Sequence, residues 1–181
     1  MRKILKNYSI LLFSALIFIA SSPLVVSGKS AWPAGPFGFI VGEDTFEEVK
    51  GRLKRYGCDI GTSSMTSGKA AVCGSKRLNA DWLQGDVLFI FNSDDVLDAV
   101  SMSVLDSRTT EIWTNLESKY SLIQKQGYLL IFNSGFNYDT IIALDLDYKE
   151  LSYYTKSFEQ KYLNIKNSNK IEKEARQKAQ F

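Results

Sequence analysis

Two cysteines, Cys58 and Cys73, are the only thiols in the chain, and they bracket DIGTSSMTSGKAAV, a stretch rich in Gly, Ser, Thr and Ala. In an oxidising compartment two cysteines with 14 residues between them most simply form one disulfide. Closing such a loop is worth about 3 kcal/mol by the chain-entropy relation. The reading is a stapled turn whose polar, flexible centre is held out for a partner; free or intermolecular thiols are the alternative. The spacing excludes a C-x-x-C redox pair.

The compartment follows from the first 28 residues. Arg2, Lys3 and Lys6 precede the 11-residue apolar run ILLFSALIFIA, and Ser21, Ser22 and Pro23 follow it. That is the form of a secretory signal peptide, because a spanning helix needs about 20 apolar residues. Small residues permit cleavage after Gly28 or after Ser22, and Gly28 is favoured because the other site would leave Pro23 first. The expected organisation is a signal peptide at 1–28, one secreted domain at 29–166, and a polar charged tail at 167–181. Beyond Gly28 the chain carries 19 basic and 20 acidic residues, a net charge of about −1. Such a balance gives no reason to propose nucleic-acid binding. The charge is uneven: residues 149–181 hold 8 basic and 4 acidic groups, so membrane contact through the tail is a second expectation.

Hydrophobic periodicity supplies the elements. Phe37–Val41 reads as a short strand. Thr45 and Glu48 form a capping-box pattern, Phe46, Val49, Leu53 and Tyr56 follow at helical spacing, and Gly57 stops the helix. VLFIF (87–91) and VLDAVSMSV (96–104) read as a hairpin, as do YLLIF (128–132) and TIIALDLDY (140–148), with a helix over 108–120 between them. In the tail, Leu151, Tyr154, Phe158, Tyr162 and Ile165 give one helical face, although LSYYT leaves a short strand as the alternative. The expected architecture is one α+β domain: an antiparallel sheet of two hairpins, two packed helices and a C-terminal helix. Two internal echoes disagree. IFNS at 90–93 returns at 131–134, an offset of 41, whereas the strand-turn-helix unit at 39–56 is echoed at 102–119, an offset of 63. Shared turn chemistry or a drifted duplication would each account for them.

The chain contains no histidine. Ser-His-Asp and Cys-His nucleophile systems are thereby excluded, and the usual zinc sites with them. GTSSMTSGK (61–69) has Ser63 where a phosphate loop needs glycine and Ala70 where it needs Ser or Thr, so no nucleotide is expected. Asp94, Asp95 and Asp98 cluster at one hairpin, and Asp145 and Asp147 share one face of a strand, as candidate carboxylate pairs for a hydrolase. Turn formation at Asp94 and Asp95 and solvent exposure of Asp145 and Asp147 are the favoured account, since nothing marks one carboxyl as buried and kept protonated for acid catalysis. The expectation is a non-enzymatic protein with no cofactor and no metal.

Binding cues remain. Trp82, in the polar setting LNADWLQG, is placed on the surface, where Trp favours interfaces. Together with Ser63, Ser64, Met65 and Lys69 of the stapled loop it forms the candidate binding surface. FIVGEDTFEEVKGRL (39–53) resembles the opening unit of the SmpA/BamE-like and β-lactamase-inhibitor-protein-like periplasmic α+β domains, through Gly42, Thr45, Glu48 and Val49. The resemblance implies a helix leading into an antiparallel sheet, and it carries no functional residues; the lipid-attachment cysteine and the Gly-x-Pro after the helix are missing. The expected function is a secreted or periplasmic binding protein, of inhibitor or immunity type, whose partner is another protein or an envelope component. A structural envelope accessory is the alternative.

Overall fold

The computed structural model describes residues 34–135 and 139–162. The signal-peptide and tail readings, and Ile165, lie outside them. Eight strands form one fully antiparallel sheet in the order β1-β2-β3-β4-β8-β7-β6-β5. Chain order is α1 (Phe46–Arg55), β1 (Asp59–Thr62), β2 (Lys69–Cys73), β3 (Leu83–Phe91), β4 (Leu97–Val104), α2 (Thr109–Lys119), β5 (Ser121–Gln126), β6 (Leu129–Asn133), β7 (Thr140–Asp145) and β8 (Glu150–Thr155). A third helix, α3, runs over 156–162. The expected α+β domain with two hairpins and two packed helices is therefore corrected to a strand-dominated sheet of eight strands with three helices.

Among the described residues α1 leads into the four-stranded meander β1-β4 and α2 into the meander β5-β8, and the two meet through β4 and β8. At that junction Ser101 pairs with Ser152, flanked by Val100 with Tyr153 and Met102 with Leu151. A half-turn about this pair exchanges the strand order of the two meanders. Only the helix part of the 63-residue echo follows this repeat, since α1 begins at Phe46 and α2 at Thr109, whereas its strand part fails: residues 39–41 form no strand and 102–104 close β4. The 41-residue echo does not follow it, because the two IFNS copies end β3 and β6, which are not equivalent strands. What they share is a turn: Asn92 Oδ1 accepts the Asp94 N–H at 2.9 Å, and Asn133 Oδ1 accepts the Gly135 N–H at 2.8 Å.

Alternation along the strands builds two apolar layers. The larger one takes Phe89, Phe91, Val100, Met102, Phe132, Leu144 and Tyr153 from the sheet, and Phe46, Val49, Leu53 and Leu116 from α1 and α2. Each fully buried large side chain among them contributes on the order of 2 kcal/mol. The smaller layer, on the opposite face, joins Ile90, Ala99, Ile131, Ile141 and Tyr154 to Phe158 of α3. Between them, in the middle of that second face, the Glu150 carboxylate accepts the Ser101 hydroxyl at 2.7 Å and the Ser152 hydroxyl at 3.1 Å.

Helix α1 starts where the sequence places it: Glu48 accepts the Thr45 N–H at 2.8 Å and the Thr45 hydroxyl at 2.7 Å. Gly57, at φ +63°, ends it in the left-handed conformation that glycine tolerates best. Two local expectations are corrected. Residues 37–41 form turns rather than a strand, with Phe37 at φ +58°. LSYYT belongs to β8, a central strand, so Leu151 and Tyr154 face opposite layers instead of sharing one helical stripe. Pairing on both edges and aromatic content outweigh the 3-4-4-3 spacing there.

Candidate functional site

Cys58 and Cys73 are joined in a disulfide with their Cα atoms 4.3 Å apart, tying the end of α1 to β2. The bond is compatible with an oxidising, extracytoplasmic compartment. Among the described residues no helix is long and apolar enough to cross a membrane.

The bracketed segment is structured. Asp59 to Thr62 pair with Val72 to Lys69 as the hairpin β1-β2. Its turn closes through the Ser63 N–H to the Gly68 carbonyl at 2.8 Å. Ser63, 7 % exposed, accepts the Met65 and Thr66 N–H groups. The Thr66 hydroxyl donates to the Phe91 carbonyl at 2.6 Å, and Gly68 approaches the Phe91 and Asn92 carbonyl oxygens so closely that a Cβ would collide with them. Lys69 pairs with Asp95 and lies 4.5 Å over the Phe46 ring. The flexible, tethered loop of the sequence reading is thus a hairpin pinned to β3, because its Ser and Thr hydroxyls are used locally and against the neighbouring strand.

Trp82 lies elsewhere. It is half-buried and stacked on Phe37 with ring centres 5.9 Å apart, and it precedes β3, whereas the 63–68 turn sits at the far end of that strand. Nine residues of strand separate the two by roughly 25–30 Å. Ser63, Ser64, Met65 and Lys69 therefore share one locality and Trp82 does not join them.

What Trp82 does join is a cleft of about 390 Å³ between its own loop and α2. Leu151 and Tyr153 of β8 lie at its base, Ile112 and Leu116 of α2 line one wall, and Asp81 with Trp82 lines the other. Arg108 spans the rim: it lies 2.8 Å from Glu111 on α2 and 3.6 Å from Asp81 across the cleft. The Glu111 hydrogen bond, helped by the charges of Glu111 and Asp81, raises the guanidinium further above its ordinary range. Burial raises the phenols of Tyr120 and Tyr153, the latter also beside Tyr120, so both stay neutral hydroxyls at physiological pH. The cleft thus combines apolar and aromatic surface, phenolic hydroxyls and a carboxylate-braced cation. Those groups can grip a side chain or ring by burial and hydrogen bonding. Arg108, Ile112, Tyr120 and Tyr153 carry no sequence signal of this role; only the pairing of β8 beneath α2 brings them to Trp82.

The carboxylate groupings separate. Asp95 is paired with Lys69, while Asp98 is buried beside Thr155 and takes its hydroxyl hydrogen bond. Asp145 is the last residue of β7 and Asp147 lies in the following turn, where the Asp145 carboxylate accepts the Asp147 and Tyr148 N–H groups at 2.9 and 3.0 Å. Asp145 and Asp147 are turn formers, which corrects the shared strand face. Among the described residues no three His, Cys, Asp or Glu side chains are placed to hold a metal ion. The chain matches no family model, no curated protein and no solved structure.

Proposed function

We propose that this is a secreted or periplasmic, non-enzymatic binding protein that engages another protein or an envelope component through the cleft between α2 and the Trp82 loop. One observation carries the reading: Trp82, Ile112 and Tyr153 line one concave site whose rim is braced by Arg108. Concave aromatic surface beside a fixed cation is the kind of site that anchors a partner's side chain. The disulfide supports the extracytoplasmic setting.

The test is capture with immobilised mature protein from the producing cell's envelope and secreted fractions, followed by cross-linking mass spectrometry. Cross-links should map to α2 and residues 76–82, and the Trp82→Ala/Ile112→Arg variant should lose them while Ser64→Ala keeps them. Cross-links confined to the 59–72 hairpin, or unchanged in the double variant, would refute the assignment of this cleft.

A further inference from the structure

The walls of the Trp82 cleft are tied to one another. The Trp82 carbonyl accepts the Leu105 N–H at 2.9 Å, and Leu83 pairs with Val104, so the loop is anchored to the chain that leads into α2. Phe37 lies nearly parallel to the indole, with 19° between the planes, and holds its orientation. At the base Tyr153 is 6 % exposed, and its hydroxyl makes no hydrogen bond with another described residue. Among the described residues the side-chain polar atoms that are both sealed and unpartnered are Asp98 Oδ2 and Trp113 Nε1. The Tyr153 hydroxyl is not one of them, so it is open to the cleft. A phenol in that position wants a polar atom of a ligand or a water beside it.

The rim sets the ligand's charge. Arg108 and Lys119 stand there with Asp81 and Glu111, and both carboxylates already engage Arg108. An anion or a cation would therefore meet as many like charges as opposite ones. A hydrocarbon chain would strip water from these groups and from the Tyr153 hydroxyl and return no hydrogen bond. A neutral ring that carries hydroxyls suits both parts of the site. The C–H face of a pyranose packs on Trp82 and Ile112. Its hydroxyls donate and accept, which matches the Asp81 and Glu111 carboxylates, whose remaining lone pairs stay open beside Arg108, and the Asn115 amide. The volume, about 390 Å³, falls within the range of small-ligand sites.

We propose that the cleft binds an uncharged sugar unit of an envelope glycan, with its ring against Trp82 and Ile112 and its hydroxyls on Tyr153, Asn115 and the carboxylates that brace Arg108. This assignment rests on the cleft being the protein's binding site, as inferred above, and narrows the partner to a neutral glycan.

The test titrates the full mature chain with cellotetraose, maltotetraose and chitotetraose, and with trigalacturonate as a charged counterpart, followed by amide and indole NMR. At least one neutral tetramer should shift the Trp82 indole N–H and the Ile112 and Asn115 amides saturably. Its affinity should stay within about twofold between about 0.05 and about 0.5 M NaCl, and trigalacturonate should bind at least about tenfold more weakly. Trp82→Ala should weaken binding about tenfold or more, and Tyr153→Phe and Asn115→Ala about threefold or more each. Should Trp82→Ala misfold, the other two decide: Tyr153→Phe removes a hydroxyl with no partner among the described residues, and Asn115 is exposed on α2. No saturable shift from any tetramer, tighter binding of trigalacturonate, or unchanged affinity in both Tyr153→Phe and Asn115→Ala would overturn the proposal. With no tetramer bound, cross-links that still map to α2 and residues 76–82 refute the sugar and leave the cleft as the binding site; cross-links elsewhere refute both.

Discussion

Replacing both cysteines, Cys58→Ala/Cys73→Ala, separates two contributions that the sulfurs make. The cross-link closes a sequence separation of 15 residues, which restricts the unfolded chain by about 3 kcal/mol. Cys73 is completely buried in the larger apolar layer, against Ala71 and the α1 side chains. Deleting its sulfur leaves a methyl-sized void worth about 1 kcal/mol. The double variant should therefore lose about 4 kcal/mol in urea unfolding, whereas the reduced wild type, which keeps its sulfurs, should lose about 3. The first figure corresponds to a fall in Tm of roughly 8–16 °C for a chain of this size. The hydrogen bonds of Ser63, Thr66 and Gly68 persist in both, so the β1-β2 hairpin should keep its amide protection. A loss below about 1 kcal/mol in both species would refute the reasoning, because the cross-link would then not restrict the unfolded chain. Equal losses in the two would refute the packing contribution of Cys73.

Two further outcomes follow. Burial raises the pKa of Glu150, opposed by the Ser101 and Ser152 hydrogen bonds and reinforced by Asp145; the native state then holds this proton longer than the unfolded chain, so the contribution is fully present below the ordinary glutamate range and is lost as pH rises through the raised value. Glu150→Gln should flatten that decline and stabilise the protein at neutral pH; urea unfolding from pH 4 to 7 checks it, and a variant steeper than wild type would contradict the sign. Gly68→Ala should cost more than about 1 kcal/mol, since the Cβ meets backbone oxygens of β3 that have no room to give; a neutral result in the same assay would mean the hairpin does not lie against Phe91.

The elements legible in the sequence are those whose own residues carry the instruction. Thr45 and Glu48 announce α1, Gly57 its end, and the apolar runs around 87–104 the β3-β4 hairpin. The edge strands were illegible: DIGT of β1 and SLIQKQ of β5 are short and largely exposed, so burial imposes no alternation on them. Their strand character comes from the neighbours they pair with. LSYYT was ambiguous because a central strand buried on both faces shows no period at all. At the site, Trp82 was visible and its setting was not, since Arg108, Ile112 and Tyr153 reach it only through the α2-β8 packing. Asp98 looked like its turn-forming neighbours; nothing local distinguishes a carboxylate buried opposite Thr155 from one left in water.

The order of the strands has one more consequence. Each meander ends on the strand that stands at the middle of the sheet, so neither has a finished border on that side until the other arrives. Cut at residue 105, the chain would give two fragments, each with a second border of unmet amides and carbonyls opened on β4 or β8, and the natural complement of each would be its sister. Topologically the molecule is a pair of protomers that share a single covalent tether, with Ser101 and Ser152 marking their seam.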